Sequence, residues 1–410
     1  MSVVVESPRA TPPPLSLEVV TSEAGLAALA PDWQRVQDAC PWKHVLLDHR
    51  WVSAWWRCFG DGKELHCLLL RRGASVVGIA PFILSRGLEL FPARDSMFQL
   101  ADDYAHLTVP RSLRILPIRR VTFPLNISSH NARAHLLLQE EPQECFELVA
   151  KYWFERSGQW DLIALDGLPD VSSQRHQLIE AGRHQGGHVP RAGMTRTIFH
   201  APLPATFDDY LAARTGHFRK RLKAELRGCR RAGEITIERY GGESIDRGLE
   251  ILFAIEQRTW KVRRQRRRKV YLALDEITRR FFTEVAHAFA ATGGAEILVM
   301  SVDGRPAGAL FTLARQETIL SLVIYLDDAY RGRVTTAPLW RAFLEGAVAH
   351  GYRGIDFHGN TVSVQKWALD SATYRRLYLF NRWPYSRLLG SAKGTAAHLS
   401  RALRRMRGEG

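Results

Sequence analysis

Residues 295 to 326, AEILVMSVDGRPAGALFTLARQETILSLVIYL, constrain this chain more than any other stretch. Three apolar runs of strand length are separated by Asp303-Gly304 and by Arg315-Gln316-Glu317, so they predict three strands joined by tight turns. The last run, Thr318 to Leu326, is the longest uncharged apolar run of the second half, and its nine residues reach about half of the roughly 18–20 needed to cross a bilayer. It reads as a strand, not a membrane span. Just upstream, Ile277, Phe281, Val285 and Phe289 recur four apart and are followed by Gly293-Gly294, which predicts an amphipathic helix closed by glycines.

The first half echoes this order. HRWVSAWWRCFG (49 to 60) reads as a helix, and ELHCLLLRRGASVVGIAPFIL reads as strand, Arg-Gly turn, strand. A glycine stands early in each second strand, Gly78 in one unit and Gly308 in the other, which points to a duplicated fold. QWDLIALDGLP (159 to 169) reads as a late strand of the first unit, with a helix after it ending in Gly186-Gly187. APLPAT (201 to 206) is the best linker. The expected organisation is a Pro-rich tail (1–15), one unit over 16–200, a second over 201–385 and a basic tail (386–410), which suits a chain of 410 residues with a 46% hydrophobic composition.

After the three strands the second unit continues with a loop carrying Arg331-Gly332-Arg333 and then a helix with Leu339, Trp340, Phe343, Leu344, Ala347 and Val348 on one face. A further strand, Gly354 to Phe357, follows. Strand, Arg/Gly loop, helix and strand make a unit in which loop amides and a helix N-terminus can hold a phosphate.

The charge is concentrated. Fifty-seven Lys and Arg against 42 Asp and Glu give a net of +15, and two stretches carry much of the excess. Residues 214 to 231 hold eight Lys/Arg and one Glu, over an apolar stripe of Phe218, Leu222, Leu226 and Cys229; residues 261 to 269 hold seven Lys/Arg and no acid. Either is a solvated face or a surface for a polyanion: a phosphate-bearing substrate, an anionic membrane or nucleic acid. Five scattered cysteines without paired spacing predict reduced core thiols and no metal site, and residues 1 to 15 lack a basic-then-apolar leader. A cytoplasmic protein is expected, able to sit on the inner face of the membrane. Serine-hydrolase elbows, His-Glu-x-x-His helices and P-loops are missing from the sequence.

RWVSAWWRCFG and SVVGIAPF in the first half, with HFRKRLKAELRGCRRAG, VDGRPAGALF, IYLDDAYRGR and GIDFHGN followed by QKW in the second, resemble the CelD/BcsL-type proteins of the GNAT acyltransferase superfamily. The resemblance spans roughly residues 17 to 385. It implies an α/β fold of tandem GNAT-like units, each a mixed, mostly antiparallel sheet flanked by helices, with acyl transfer chiefly in the second. The Fem-type aminoacyl transferases share the doubled architecture. GNAT enzymes hold the pyrophosphate of coenzyme A on an Arg/Gln-x-x-Gly-x-Gly/Ala loop, where this chain has Arg331, Gly332, Arg333, Val334, Thr335, Thr336 and Ala337. Both late glycines are replaced, so the phosphates of an acyl-CoA donor would have to be met by Arg331, Arg333 and the hydroxyls of Thr335 and Thr336.

The same resemblance makes Lys366 a site candidate, close to where Fem-like enzymes carry a lysine near the acyl carbonyl. An ammonium there would stabilise the developing oxyanion. The alternative is a lysine with its stem on Trp367 and its head in solvent. Asp356 and His358 alternate around Phe357, so a strand would present both on one face as an acid/base pair, although an acid at a strand end is also a turn cap. Tyr325 could protonate a departing thiolate or simply pack. The function expected is acyl transfer from acyl-CoA or a similar donor to an amine or hydroxyl of a cell-envelope or polysaccharide precursor. Two alternatives stand beside it: a Fem-like transferase using aminoacyl-tRNA, and a non-catalytic module that binds an anionic partner.

Overall fold

The computed structural model describes residues 13–41, 44–90, 114–125, 133, 135–189, 195–259, 262, 272–359 and 362–391. The basic run at 261–269 lies almost wholly outside them, as do the tails before 13 and after 391. The first part of the chain runs β1 (Leu15–Val20), α1 (Glu23–Ala28), α2 (Ala30–Ala39), α3 (His49–Phe59), β2 (Glu64–Arg72), β3 (Ser75–Leu90), β4 (Arg114–Thr122), β5 (Leu137–Leu138), α4 (Gln143–Glu155), β6 (Leu162–Pro169), α5 (Gln174–His184) and β7 (Thr195–Pro202). It continues with α6 (Phe207–Ala212), α7 (Gly216–Ala232), β8 (Ile235–Gly241), α8 (Ile245–Gln257), α9 (Glu276–Ala290), β9 (Ala295–Val302), β10 (Arg305–Arg315), β11 (Thr318–Leu326), α10 (Ala337–Ala349), β12 (Gly354–Asp356), α11 (Val362–Gln365) and β13 (Asp370–Phe380).

The described strands all join one 13-stranded mixed sheet flanked by helices, in the order β1-β2-β3-β4-β6-β13-β7-β12-β11-β10-β9-β8, with β5 paired to β3. From either edge inward the pattern is the same: antiparallel strands, then one parallel neighbour (β4 with β6, β11 with β12), then one antiparallel strand. The two inner strands are exchanged. β7 comes from the first part of the chain but pairs with β12, and β13, from the end, pairs with β6; the two meet at the centre from Asp370↔His200 to Arg375↔Thr195. This corrects the reading of 201–206 as a linker. Ala201 and Pro202 still belong to β7, opposite Ile355 and Gly354, and Pro202 is tolerated because it ends the strand.

The duplicated glycines have a local cause. Both units carry a bulge just before the glycine, at Val77 between β2 and β3 and at Ala307 between β9 and β10. A Cβ on Gly78 would stand 2.5 Å from Leu138 Cδ2, and one on Gly308 would stand 3.1 Å from Leu339 Cδ1. The β9–β10 turn has φ of +51° at Asp303 and +73° at Gly304, the two left-handed positions an Asp-Gly hairpin provides. In the second part of the sheet the faces separate cleanly. Ile297, Val299, Ala309, Phe311 and Leu313 face α8 and α9, while Leu298, Met300, Ala307 and Leu310 face α7 and α10. Central strands buried on both faces are why these runs read as continuously apolar.

Candidate active site

The site starts as a fork in the sheet. β11 and β12 run parallel over three positions, Thr318↔Gly354, Ile319↔Ile355 and Leu320↔Asp356, and then part. β11 continues to Leu326, while the chain after Asp356 turns off: Phe357 N–H bonds Phe199 O and His358 adopts a φ of +53°. The register of β10 on β11 skips Leu322 at the point of parting, a bulge that disrupts the ladder and re-aims the backbone there.

On the α8/α9 side, the base of the fork carries a buried charge cluster. Both oxygens of Asp356 accept from the Arg133 guanidinium, Oδ2 also takes His44 Nε2 at 2.9 Å, and Oδ1 takes the His358 backbone N–H at 2.7 Å. The Leu46 N–H donates to His44 Nδ1 at 3.1 Å, which leaves Nε2 as the protonated nitrogen of a neutral ring. Burial, with help from Arg133, pushes the His44 pKa down to about 3. For Asp356 burial works the other way, but Arg133 and the His44 hydrogen bond outweigh it and hold the carboxyl well below the usual carboxylate range. Across the sheet the same row continues to His200, whose pKa burial lowers. A cavity of about 460 Å³ opens above this row, between His44–Val45 on one wall and Arg315–Thr318 on the other, with Leu320 and Asp356 as floor.

The expected Asp356–His358 pair is therefore not built as an alternating strand pair. The strand stops at Asp356, the left-handed turn re-directs His358, and it is the His358 backbone that touches the carboxylate. Tyr325 lies farther along β11 on the α8 side, where its hydroxyl donates to Glu256 Oε1 at 2.6 Å; Glu256 also accepts from Ala273 N–H at 2.7 Å.

The opposite face holds the remaining candidates. In the loop after β11, Arg331 and Arg333 are exposed, Gly332 has a φ of +79°, Val334 is buried, and Thr336 stands at the N-cap position of α10 without a side-chain cap bond. The amides of Arg333 and Val334 turn inward onto Tyr330 O, both at 3.0 Å, so the charge this loop offers outward is that of its arginine side chains. Thr335 Oγ1 accepts from Ala337 N–H at 3.2 Å and donates to Glu225 of α7 at 3.5 Å. Glu225 is the hub: it takes Arg221 Nε at 2.9 Å and Lys366 Nζ at 3.0 and 3.2 Å. Lys366 is 25% exposed, so its head is neither in open solvent nor sealed away. Both Thr335 Oγ1 and Lys366 Nζ touch Glu225 Oε2, at 3.5 and 3.0 Å, which sets Lys366 beside the loop rather than with Asp356 or Tyr325. Arg214 binds Lys366 O and Ala368 O, and Phe218 meets Trp367 edge-on at 5.3 Å, so the turn holding Lys366 is clamped to α7.

Arg133, His44, Glu225 and Glu256 escaped the sequence reading. Only Glu225 left a signal, as the single acid among eight cations. The five cysteines are all buried and free, and no group of three or more metal-binding side chains occurs among the described residues. Nor, among them, is any helix long and apolar enough to cross a membrane.

Residues 216–366 match the model of the Acetyltransferase (GNAT) domain. Among solved structures, the chain is similar to FemX (TM-score 0.56, 11% identity, 88% of this chain and 98% of that one). It is also similar to the C-terminal domain (DUF2156) of a putative lysylphosphatidylglycerol synthetase from Agrobacterium fabrum (TM-score 0.50, 11% identity, 91% and 96%). A protein of unknown function from Bacteroides thetaiotaomicron is similar to the same degree (TM-score 0.50, 11% identity, 89% and 100%). At such identities the likeness is one of fold: a GNAT-type α/β architecture. No curated protein matches the sequence.

Proposed function

We propose that this protein is an acyltransferase that moves an acyl group from an activated donor, acyl-CoA or a similar phosphate-bearing carrier, to an amine or hydroxyl. The observation that carries the reading is the fork: two parallel strands part at a bulge, with a basic loop on one face and a polar cavity on the other. A donor seated by Arg331, Gly332, Arg333, Thr335 and Thr336 would run its acyl arm along the open edge of β11, where backbone amides past Ser321 can bind a carbonyl oxygen. Lys366, held by Glu225 beside that loop, adds its ammonium at the donor's phosphate end. The side-chain set fits phosphate by charge, in place of the glycine amides usual in such loops.

In this reading the acceptor enters from the cavity side. Its nitrogen or oxygen attacks the carbonyl carbon, the bond to the donor sulfur or oxygen breaks, and Tyr325 supplies the proton to the leaving group, drawing on Glu256 behind it. Asp356 has both oxygens committed, so its role is to fix His44 and the His358 turn; His358 is the candidate to take the acceptor's proton. The acceptor class we favour is a cell-envelope or polysaccharide precursor. The exposed cations of α7 support an anionic partner as well, a membrane face at the inner leaflet or a tRNA-borne donor. A non-catalytic binding module is the second reading, favoured by buried Val334 where loop glycines would otherwise stand.

The test is thiol release from acetyl-CoA against a panel of amines, sugars and lipid-linked precursors, together with native mass spectrometry of the purified protein. A bound acyl carrier or acceptor-dependent release is expected. Neither appearing across the panel would leave the binding module as the better account.

A further inference from the structure

Beyond β13 the backbone turns through Arg382 and Trp383 into a helix over 384–391. Leu389 roots it on Ile118, Leu162, Tyr378 and Phe380, and the Tyr385 hydroxyl donates to Pro117 O. Its other side is open. Trp383 is 49% exposed and Leu388 64%, two of the five large apolar side chains that stand in solvent among the described residues. The Trp383 ring is fixed there, because its Nε1–H donates to Ser157 O at 3.1 Å.

The sequence past Ser391 repeats this surface. Leu388, Ala392, Leu399, Leu403 and Met406 are spaced 4, 7, 4 and 3 apart, so a helix continued through them would set all five in one stripe about 60° wide. Arg387, Lys393, Arg401, Arg404 and Arg405 would fall outside that stripe, and between 382 and 408 there are seven Lys/Arg and no acid. The charges decide what can cover such a stripe. A second copy of this chain would bring two rows of like charge together with no acid to pair them. A nucleic acid would take the cations and leave the leucines and the indole in water. A bilayer with anionic head groups takes both, because the apolar side chains enter the head-group boundary while the cations meet the phosphates.

We infer that residues 384–407 lie as one amphipathic helix along an anionic membrane surface, with Trp383 and Leu388 as the first side chains to enter it. The stripe is interrupted by cations throughout, so the segment lies on the bilayer and does not cross it. This surface is separate from α7 and from the fork, and the inference goes beyond the acyl-transfer reading without depending on it.

Vesicle flotation of the full chain tests it, with phosphatidylcholine vesicles as the reference and vesicles carrying about one third phosphatidylglycerol as the anionic surface. The chain is expected to float with the anionic vesicles alone and to gain far-ultraviolet helicity as it does so. Leu388→Asp replaces a side chain that already stands in solvent, so the melting temperature should hold while vesicle affinity falls about tenfold or more, the scale of one leucine kept out of the interface. Leu403→Asp should weaken binding to the same degree, and Leu388→Met should preserve it. Arg404→Gln combined with Arg405→Gln should cost about fivefold for each charge removed. Lys220→Gln combined with Lys223→Gln, on the exposed side of α7, should change vesicle binding little. Failure to float with the anionic vesicles, whether or not an RNA hairpin binds, overturns the inference. Equal vesicle affinity for the parent and both aspartate variants does so too, since charge alone, from α7 or elsewhere, would then account for the binding. A mass that doubles with concentration in light scattering, and that Leu403→Asp returns to one chain while vesicle binding is unchanged, would give the stripe to a second copy instead. Thiol release measured without vesicles bears on the acyl-transfer reading alone.

Discussion

Asp356→Asn is expected to cost this fold more than Arg133→Met, although both break the same ion pair. The guanidinium of Arg133 and the carboxylate of Asp356 are 1% and 3% exposed, and each was taken out of water at a price that only its partner offsets. Asparagine leaves Arg133 charged, because guanidinium cannot shed its proton, and a stranded buried charge costs about 3–5 kcal/mol. Methionine leaves Asp356 with the His44 Nε2–H and the His358 amide, and removes the cation that helps keep His44 neutral. His44 can then take up a proton and pair with Asp356, so the loss should be nearer 1–3 kcal/mol. With a urea m value of about 3 kcal/mol/M or more for a chain of this size, Asp356→Asn should lower the midpoint by about 1 M.

The pH dependence sharpens the test. In the parent protein the folded His44 titrates at about 3 and the unfolded one near 6.5, so between those values the unfolded chain binds the extra proton. Its contribution is present above about pH 6.5 and is lost as the pH falls toward 3. In Arg133→Met the folded pKa moves up, so the gap to the parent should narrow from pH 7 to pH 5. Urea titrations followed by tryptophan fluorescence read both effects. Equal or greater loss in Arg133→Met, or a gap that does not narrow with acid, would refute the assignment.

Replacing both Arg331 and Arg333 with Ala should weaken donor binding by about 1–3 kcal/mol in calorimetry while the melting temperature holds. If the outer face of α7 binds an anionic vesicle or RNA, affinity should drop steeply between about 50 and 200 mM salt, and a flat salt profile would return that face to ordinary solvation. Gly78→Val should destabilise by about 1–3 kcal/mol in thermal melts, since its Cβ would stand 2.5 Å from Leu138 Cδ2 in a strand buried on both faces.

Much of the fold could be read locally. β9, β10 and β11, α9 and α10 announce themselves because apolar period, turn chemistry and capping agree within a few residues of each other. The strand exchange could not be read, since DSATYRRLYLF passes from a polar start to an apolar end and nothing in it names β6 or β7 as a partner. The same limit hid the charge cluster. His44 and Arg133 lie 312 and 223 residues before Asp356, in stretches with no periodic or motif signal. Lys366 was singled out by family pattern, yet its environment depends on Glu225, which belonged to a run read for its positive charge and its apolar stripe. His358 was misdirected by a single residue, because alternation holds only while the backbone stays extended.

The crossing of β7 and β13 bears on how the chain is made. On a ribosome β6 emerges with one edge paired to β4, and the strand that covers its other edge follows roughly two hundred residues later. At about 5–20 residues per second, that edge stays open for some 10–40 s, long enough for another nascent chain to pair with it. A fragment ending before Asp370 would leave both β6 and β7 with an inner edge that nothing covers. Soluble expression should therefore fall abruptly when C-terminal truncation enters β13, and should be recovered by supplying Asp370–Phe380 as a separate peptide.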